Sequence, residues 1–338
     1  MHHFPEREVP NESRGTVIRT AREGRSEDEE AGAPHARSQG WRLMTQGLHG
    51  AAVVGARGFL GAAIAAKIAA TGDTVPEYDR AMPFIVDGEL DPELGKVRTV
   101  IWAASSINPQ IAAEQPERIA DDRDAFADFL DRLESVNPAA RVVLLSSGGT
   151  VYGEATSLPF TEDSPTRPIS AYGRAKVALE TLLESRSSGD VVARIANAYG
   201  PGQALAPGQG VIGHWLRAVL REEPIRVYGS LELTRDYVHV DDICEAIRRI
   251  HASHDVLPRI INIGSGTPTT LAEVAEVIGE VTGVGQLAIQ YEGGRSIDVS
   301  SSWLDIALAR RALDWSPRIG LRDGVASMWN WLTSDASR

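Results

Sequence analysis

From Ala51 onward, short apolar runs of strand length alternate with segments that have the spacing of amphipathic helices. The runs at 51–54, 97–102, 142–145 and 191–195 are predicted to be buried strands. Between them, Phe126, Phe129, Leu130 and Leu133 follow the i, i+3, i+4, i+7 spacing of one helix face. Strands that alternate with helices build βαβ units, whose parallel sheets are covered by helices on both sides. The sequence therefore predicts an α/β fold around a parallel sheet.

Charge and cysteine content narrow the class of partner. The formal net charge of -12 at pH 7 repels nucleic acid and anionic membranes, so a phosphate-bearing ligand needs local arginines and backbone amides. The single cysteine, Cys244, excludes an internal disulfide and a cysteine-based metal cage, which fits a reducing cytosol. No apolar run has bilayer length, and no signal peptide opens the chain. We expect a soluble, cytoplasmic protein with no nucleic-acid, membrane or metal partner.

A glycine-rich loop follows the first predicted strand. Gly55, Gly58 and Gly61 have the spacing G-x-x-G-x-x-G and lead into an alanine-rich helix, whose first backbone amides can meet a pyrophosphate. Asp79 follows the second-strand region, where a carboxylate can bind both adenosine ribose hydroxyls and repel a 2'-phosphate. The pattern favours NAD over NADP. Arg80 favours the opposite choice, because a guanidinium can pair with a 2'-phosphate, although an exposed loop arginine is the commoner explanation.

Tyr172 and Lys176 are four residues apart in a segment of helical spacing, so they share one helix face. A lysine ammonium near a phenol favours the phenolate, which would let Tyr172 remove or return a proton on a sugar hydroxyl as hydride moves. Taken alone, the Y-x-x-x-K pattern is common in helices where the tyrosine packs and the lysine is solvated. The surrounding motifs decide between these interpretations.

Several further motifs accompany this pair in a fixed order. Residues 146–153 read S-S-G-G-T-V-Y-G, residues 194–202 read R-I-A-N-A-Y-G-P-G, and residues 235–242 read R-D-Y-V-H-V-D-D. With the glycine loop, Asp79 and the Ala103-Ala104-Ser105 run, they closely resemble the NAD-dependent epimerase/dehydratase family of extended short-chain dehydrogenases/reductases, across about residues 48–335. Within that family the chain resembles the UDP-glucose and UDP-N-acetylglucosamine 4-epimerases. The resemblance implies a Rossmann-like doubly wound parallel sheet with a smaller C-terminal substrate-binding lobe.

The resemblance also implies roles for individual residues. It places NAD against Gly55, Gly58, Phe59, Leu60, Gly61, Asp79, Ala103, Ala104, Tyr172 and Lys176. It places a UDP-sugar against Asn197, Arg235, Arg295 and Ser302. Arg235 and Arg295 would clamp the diphosphate, unless they are instead paired with Asp236 and Asp298. A small residue at Ser302 would leave room for an N-acetyl group, although a surface serine is the simpler explanation. A homodimer is common among proteins of this kind.

Three regions are expected along the chain. Residues 1–43 are rich in Arg, Glu, Gly, Ser and Pro without apolar periodicity, so we expect disorder there, and Met44 is a candidate natural start. Residues 48–198, with a later return around 236–263, are predicted to form the NAD-binding domain. Proline and glycine become denser after Gly200, which indicates a separate lobe at 199–235 and 264–335.

The motif at 146–153 bears on the reaction. Dehydratases of this family resemble S-T-D-E-V-Y-G here, and the decarboxylases also have glutamate before V-Y-G. This chain has Gly148, Gly149 and Thr150, so it lacks the acid pair that would drive elimination of water. Epimerases resemble S-S-S-A-T-V-Y-G, and Gly148 replaces the serine that binds the reacting hydroxyl. Ser147, Thr150 or a water would take over that contact beside Tyr172.

We expect a 4-epimerase that oxidises C4 of a UDP-hexose or UDP-N-acetylhexosamine to a 4-keto sugar and reduces it on the other face. Two other functions stay open. A nucleotide-sugar reductase or 4-dehydrogenase would use the same residues with net consumption of the cofactor. A non-catalytic NAD(H)-binding sensor or assembly subunit is suggested by Gly148.

His239 is not expected to carry chemistry. It precedes Asp241 and Asp242, but no second nitrogen ligand is suitably spaced for a metal. Asp241 or Asp242 is instead expected to cap the following helix.

Overall fold

The computed structural model describes residues 41–186, 189–204, 210–293 and 300–335. Its centre is a six-stranded parallel sheet of β1 His49–Val54, β2 Glu77–Tyr78, β5 Val97–Trp102, β6 Arg141–Ser147, β7 Val191–Ile195 and β12 Ile260–Ile263. The strand order across the sheet is β12-β7-β6-β5-β1-β2. The predicted α/β class and the four predicted buried strands are confirmed.

Helices cover both faces of this sheet. They are α1 Phe59–Ala69, α2 Pro109–Glu114, α3 Glu117–Val136, α4 Ala171–Glu184, α5 Val211–Leu220, α6 Val240–Ala252, α7 Leu271–Thr282, α8 Ala307–Leu313 and α9 Leu321–Asp335. One face packs against α1, α6 and α8, and the other against α3 and α4. In α3 the buried side chains are Phe126, Phe129, Leu130 and Leu133, as the spacing predicts. Alternate residues of each strand face opposite sides, so both faces are apolar.

The edge of the sheet beside β2 is built differently from the usual doubly wound fold. That fold has the strand order 3-2-1-4-5-6, with a helix and a third strand after the second. Here β2 is followed by a short antiparallel hairpin of β3 Ile85–Val86 and β4 Glu89–Leu90, and by the 3-10 helix Pro92–Gly95. The chain then enters β5, next to β1. In the described sheet β2 is consequently the edge strand, and the loop that begins at Asp79 lies beyond it.

A third apolar core joins the elements that follow β7. Helices α5, α7 and α9 pack with β9 Ile225–Tyr228 and β14 Ile289–Glu292 around Trp215, Leu216 and Ile278. The remaining short strands are β8 Asn197–Tyr199, β10 Thr234–Arg235, β11 Tyr237–His239, β13 Thr269–Thr270 and β15 Ser301–Ser302. The predicted lobe boundary includes 264–335, yet Leu304 and Trp315 pack in the core of the main sheet. Leu304 and Trp315 therefore pack with the main sheet rather than with the third core, and the domain boundaries stay a prediction.

The N-terminal prediction needs a correction at its end. Residues 1–40 lie outside the described part of the chain, but 41–43 belong to a helical turn rather than a disordered segment. The Trp41 ring is 5% exposed and lies under the Arg141 guanidinium, 5.2 Å from its central carbon. Arg141 is also buried, and its nitrogens donate to the carbonyls of Gly189, Ile250, Ser253 and Asp255. A chain that begins at Met44 would lose this cover.

Across the four described stretches, no helix combines the length and the apolar character needed to cross a bilayer. Cys244 is buried in the core, and burial raises the pKa of its thiol to about 12, as expected for a packing residue. The homodimer stays a prediction.

Candidate functional site

A cleft of about 910 Å³ lies where the carboxyl ends of β1, β5, β6 and β7 meet the smaller lobe. Its walls include Gly58, Ala103, Ser147 and Ala196, each at or just beyond the end of one of these strands. In open α/β sheets, ligands bind outside the carboxyl ends of the strands, because connections diverge there. The cleft is therefore the candidate ligand-binding site.

The glycine loop fits a dinucleotide. Gly55 has a φ of +92°, and a side chain there would place its Cβ 2.6 Å from the backbone nitrogen of Ala104. A Cβ on Gly61 would collide with the carbonyl of Gly55, so this glycine lets α1 approach the strand. Gly58 differs, because its Cβ would meet only the Gly55 carbonyl at 3.2 Å and its other side is open. Gly58, Phe59, Leu60 and Gly61 line the cleft, whereas Gly55 and Ala104 support the loop from behind.

Asp79 directly follows β2 and is already engaged. Its Oδ1 accepts hydrogen bonds from the backbone amides of Ala81 (2.6 Å) and Met82 (3.1 Å). Its Oδ2 is 2.8 Å from Nε of Arg57, which belongs to the glycine loop. The Ala81 hydrogen bond, followed by the Met82 bond and the Arg57 charge, holds the carboxyl pKa below its usual range. Asp79 is therefore ionised at neutral pH beside the cofactor loop.

The predicted acid-base pair lies on the cleft wall. Ser170 caps α4 through a hydrogen bond from the amide of Gly173 to its Oγ (3.0 Å), which fixes the turn that carries Tyr172. Lys176 is 7% exposed, its Nζ donates to the carbonyl of Leu145 (3.4 Å), and it lies 5.6 Å from the centre of the Tyr172 ring. Both residues line the cleft, as predicted. A half-buried phenol beside a buried ammonium is suited to proton transfer.

The end of β6 faces this pair. Ser147 and Thr150 both line the cleft, and the buried Thr150 hydroxyl has no hydrogen-bond partner among the described residues. An unsatisfied buried hydroxyl costs free energy, so a ligand oxygen at this point would gain a ready partner. A side chain on Gly173 would place its Cβ 2.6 Å from the Thr150 carbonyl, so the glycine allows α4 to start close to this loop. Thr150 and Tyr172 both line the cleft.

Gly148 does not face the cleft. Its Cβ position would lie 2.7 Å from Cδ1 of Leu304 and 3.1 Å from the carbonyl oxygen of Arg194. Leu304 is 1% exposed, so the space of a side chain at 148 is filled by the core. The absence of a serine side chain at position 148 therefore leaves no empty pocket. The residues of this motif that bring a hydroxyl group to the cleft wall are Ser147 and Thr150.

A buried ion pair supports the strand ends from behind. Arg194 and Glu180 are both buried, and the Arg194 Nη2 to Glu180 Oε2 distance is 2.7 Å. Ser146 donates to the same carboxylate, and the Arg194 guanidinium stacks 4.9 Å from the Tyr152 ring centre. These contacts join α4 to β6 and β7 directly below the acid-base pair. Removing one partner of such a pair leaves a buried charge uncompensated.

Two of the predicted substrate residues meet at the cleft. Asn197 and Arg235 both line it, and Asn197 Nδ2 donates to the Asp236 carbonyl (2.9 Å). Asp236 does not pair with Arg235, because its buried carboxylate accepts from the amides of Ser265 and Gly266 and from the Ser265 hydroxyl. Among the described residues, Arg235 donates only to the neighbouring Thr234 carbonyl (2.9 Å), and no described carboxylate pairs with its charge at the cleft.

Of the other two predicted substrate residues, the structure describes only Ser302. Arg295 and its candidate partner Asp298 lie outside the described residues. Ser302 pairs with Arg235 across β15 and β10, but it is 3% exposed and does not line the cleft. Ser302 is therefore buried, and the explanation that it is a surface serine was wrong. Room for an N-acetyl group stays a prediction.

The far end of the cleft contains residues that the sequence did not single out. Arg217, Arg221 and Arg226 line it, and none of them forms an ion pair with a described carboxylate. Gln203 and Tyr237 also line it, and both are buried with an oxygen that lacks a hydrogen-bond partner among the described residues. Cations in an anionic chain indicate an anionic ligand, and unsatisfied buried oxygens indicate a polar one.

Some of these residues carried a sequence signal. Arg194 interrupts the apolar run 191–195, and a charge inside a buried strand requires a partner. Glu180 lies one helical turn beyond Lys176 on the same face, which indicates that partner. Gln203, Tyr237 and the three arginines had no comparable signal, because only the folded lobe brings them to the cleft.

His239 acts structurally, but one detail of the prediction was wrong. The N-cap of α6 is His239 itself, whose Nδ1 accepts from the amide of Asp241 (3.3 Å). Asp242 instead accepts from the amides of Arg318 and Ile319, and Asp241 is 70% exposed. Burial lowers the pKa of His239, which favours the neutral ring that a hydrogen-bond acceptor requires. Within the described stretches, no group of three or more His, Cys, Asp or Glu side chains could hold a metal ion.

Comparison with known proteins gives consistent results. Residues 51–264 match the model of the NAD dependent epimerase/dehydratase family. The chain is 32% identical over 237 residues to dTDP-4-dehydro-6-deoxyglucose reductase of Escherichia coli, covering 68% of this chain and 73% of that protein. It is 29% identical over 300 residues to UDP-glucose 4-epimerase of Mycolicibacterium smegmatis, covering 81% of this chain and 95% of that protein.

The fold is also similar to solved structures. The structure of MoeE5 in complex with UDP-glucose and NAD superimposes with a TM-score of 0.74 at 27% identity, covering 85% of this chain and 99% of that chain. The names of the two enzymes each include a nucleotide-linked sugar, MoeE5 was solved with UDP-glucose and NAD, and the two enzymes are named for different reactions.

Proposed function

The chain belongs to the NAD dependent epimerase/dehydratase family, and on this premise we propose that it inverts C4 of a UDP-linked hexose or N-acetylhexosamine. NAD is the cofactor of the family, and when bound it accepts a hydride from the sugar and returns it. The observation that carries the proposal is the placement of Tyr172, Lys176 and the unpartnered Thr150 hydroxyl around one space in the cleft.

Each residue at this space has a distinct role. Tyr172 takes the proton from the sugar 4-hydroxyl and gives it back, and Lys176 stabilises the phenolate through its nearby positive charge. Thr150 donates or accepts a hydrogen bond at the reacting oxygen, the contact made in similar epimerases by the serine that Gly148 replaces. Lys176 is held by the Leu145 carbonyl, so its ammonium stays near the phenol while the sugar turns.

The rest of the substrate lies along the cleft towards the smaller lobe. Asn197 and Arg235 contact the diphosphate, which a guanidinium can bind with two charge-assisted hydrogen bonds. Arg217, Arg221 and Arg226 lie beyond them and supply positive charge at the nucleotide end. Gln203 and Tyr237 provide polar contacts in the same region.

A second candidate is a reductase that delivers hydride to a 4-keto sugar nucleotide. Two observations favour it: the similarity to the Escherichia coli reductase, and Leu304 filling the side-chain space at Gly148. A reductase needs hydride transfer to one face only, so it has less need of a second hydroxyl that holds the sugar in both orientations.

The two reactions differ in their use of the cofactor. Purified protein would be incubated with NAD and UDP-galactose or UDP-N-acetylgalactosamine, with proton NMR of C4 and absorbance at the NADH band followed together. An epimerase changes the C4 configuration with no net NADH, and a 4-dehydrogenase forms NADH in step with a 4-keto product. A reductase is tested in a parallel incubation with NADH and a 4-keto sugar nucleotide, where it consumes NADH in step with product. A protein that binds NAD but leaves every sugar nucleotide unchanged would be a sensor or assembly subunit.

A further inference from the structure

The adenosine end of the cofactor site contains two arginines beside its carboxylate. Arg57 lies in the glycine loop, is 71% exposed, and uses Nε to pair with Asp79. Its two terminal nitrogens have no partner among the described residues. Arg80 follows Asp79 directly, is exposed, and forms no ion pair with a described side chain. Two guanidinium groups and one carboxylate leave a formal charge of +1 at this point.

A carboxylate at this position selects NAD in two ways. It accepts hydrogen bonds from the ribose hydroxyls, and its charge repels a 2'-phosphate. Both effects are reduced here. Asp79 Oδ1 already accepts from two backbone amides, and Oδ2 is paired with Arg57 at 2.8 Å. Arg57 also neutralises the charge that would repel the phosphate.

The neighbouring sheet edge leaves this point accessible. A short hairpin follows β2 in place of a further helix and strand, and Arg80 lies in the loop before it. Exposed guanidinium groups with free terminal nitrogens bind phosphate dianions through paired, charge-assisted hydrogen bonds. The ligand chemistry that fits is a phosphate monoester on the adenosine ribose.

We propose that the cofactor site of this chain accepts NADP as well as NAD, with the 2'-phosphate held between Arg57 and Arg80. Asp79 orients Arg57 and leaves its terminal nitrogens directed to the phosphate. The proposal concerns the adenosine end alone, so it does not depend on which sugar reaction occurs at C4.

The test is an equilibrium titration of NADH and NADPH, followed by nicotinamide fluorescence in the absence of sugar. Wild-type protein is expected to bind the two with dissociation constants within about tenfold of each other. Arg57→Ala and Arg80→Ala should each weaken NADPH binding by about tenfold or more, with NADH changed by less than about threefold. Added salt should weaken NADPH binding more steeply than NADH binding.

A matched control sharpens the result. Arg322→Ala removes an exposed arginine that is paired with Glu280 at 3.3 Å and does not line the cleft, so neither affinity should change. The proposal is overturned if wild-type protein binds NADPH more than about a thousandfold more weakly than NADH, or if Arg57→Ala weakens both alike. Failure of the epimerase assay would leave these titrations unaffected.

Discussion

The proposed chemistry depends on the phenol group of Tyr172. Tyr172→Phe removes the ionisable oxygen and keeps the ring beside Lys176. We expect turnover to fall by about 10²- to 10⁴-fold, the usual worth of a general acid-base group. NAD affinity should stay near the wild-type value. Steady-state rates and a cofactor titration on the same preparation check both expectations. Equal turnover in the variant would remove Tyr172 as the catalytic group.

Packing is expected to require the absence of a side chain at Gly148. Gly148→Ala would place a Cβ against Leu304 and the Arg194 carbonyl, at a cost of about 1 to 3 kcal/mol in the free energy of unfolding. Leu304→Val removes the δ-methyl groups that would clash, so the same substitution should cost less in that background. Urea unfolding of the four proteins measures this coupling. An equal cost in both backgrounds would mean that Leu304 is not the obstacle.

His251 gives an expected dependence of stability on pH. Its Nδ1 is 3.0 Å from Thr99 Oγ1, and burial, followed by the charge of Arg98, lowers its pKa from 6.5 to about 4. The unfolded chain therefore binds this proton near pH 6.5 and the folded protein only near pH 4. Stability from the neutral ring is complete above pH 6.5 and is lost as the pH falls towards 4.

The full shift corresponds to about 3 kcal/mol, by linkage. Urea unfolding at neutral pH and near pH 4 should therefore show a smaller acid-induced loss for His251→Gln than for wild type. If both proteins lost the same stability, His251 would not be a source of the acid sensitivity.

At the scale of elements, the first helical turn is expected to be part of the fold. Trp41 covers the buried Arg141 guanidinium, which holds four backbone carbonyls near the ends of β7 and α6. Trp41→Ala should lower the free energy of unfolding by about 3 kcal/mol, the usual cost of truncating a buried aromatic side chain.

A chain that begins at Met44 should show a similar loss, whereas one that begins at Gly40 should match the full-length protein. Thermal unfolding of the three proteins distinguishes them. A Met44 chain as stable as the full-length protein would show that residues 41–43 contribute nothing.

Most elements of the sheet could be predicted from the sequence, because their apolar runs and helix faces have local periodicity. The same holds for α4, whose Tyr172 and Lys176 share a face four residues apart. The cap of α6 was missed, because Asp is the commoner cap and the role of His239 depends on its contact with Asp241. The edge position of β2 and the hairpin that follows it were not predicted. Both depend on the absence of a further strand paired with β2, which no local pattern in the sequence indicates.

The site was predictable only where a motif carries it. Gly58, Gly61, Tyr172, Lys176 and Asn197 all line one cleft, and the roles that the motifs imply for them stay predictions. The pairing of Arg57 with Asp79 was not foreseen, because an exposed loop arginine has no preferred partner in a sequence. Leu304 reaches Gly148 from a segment more than a hundred residues away, and no local pattern indicates such a contact.

The whole molecule combines an anionic surface with a cationic cleft. The formal net charge is -12, yet Arg217, Arg221, Arg226 and Arg235 all line the cleft. This distribution concentrates positive charge in the cleft where the proposed diphosphate would bind, and it leaves the outer surface repulsive to polyanions. Elements that follow β7 supply these arginines and α4 supplies Tyr172 and Lys176, so the proposed substrate would contact both.

In the proposed reaction, hydride leaves and returns at C4 of the sugar while Tyr172 handles the proton. The most direct measurement uses UDP-glucose and UDP-N-acetylglucosamine with deuterium at C4, each incubated with the protein and NAD and analysed by NMR and mass spectrometry. We expect at least one of them to give the C4 epimer with its deuterium still at C4 and with no net NADH. The proposed reaction is contradicted if both sugars remain unchanged, or if the product loses the label from C4.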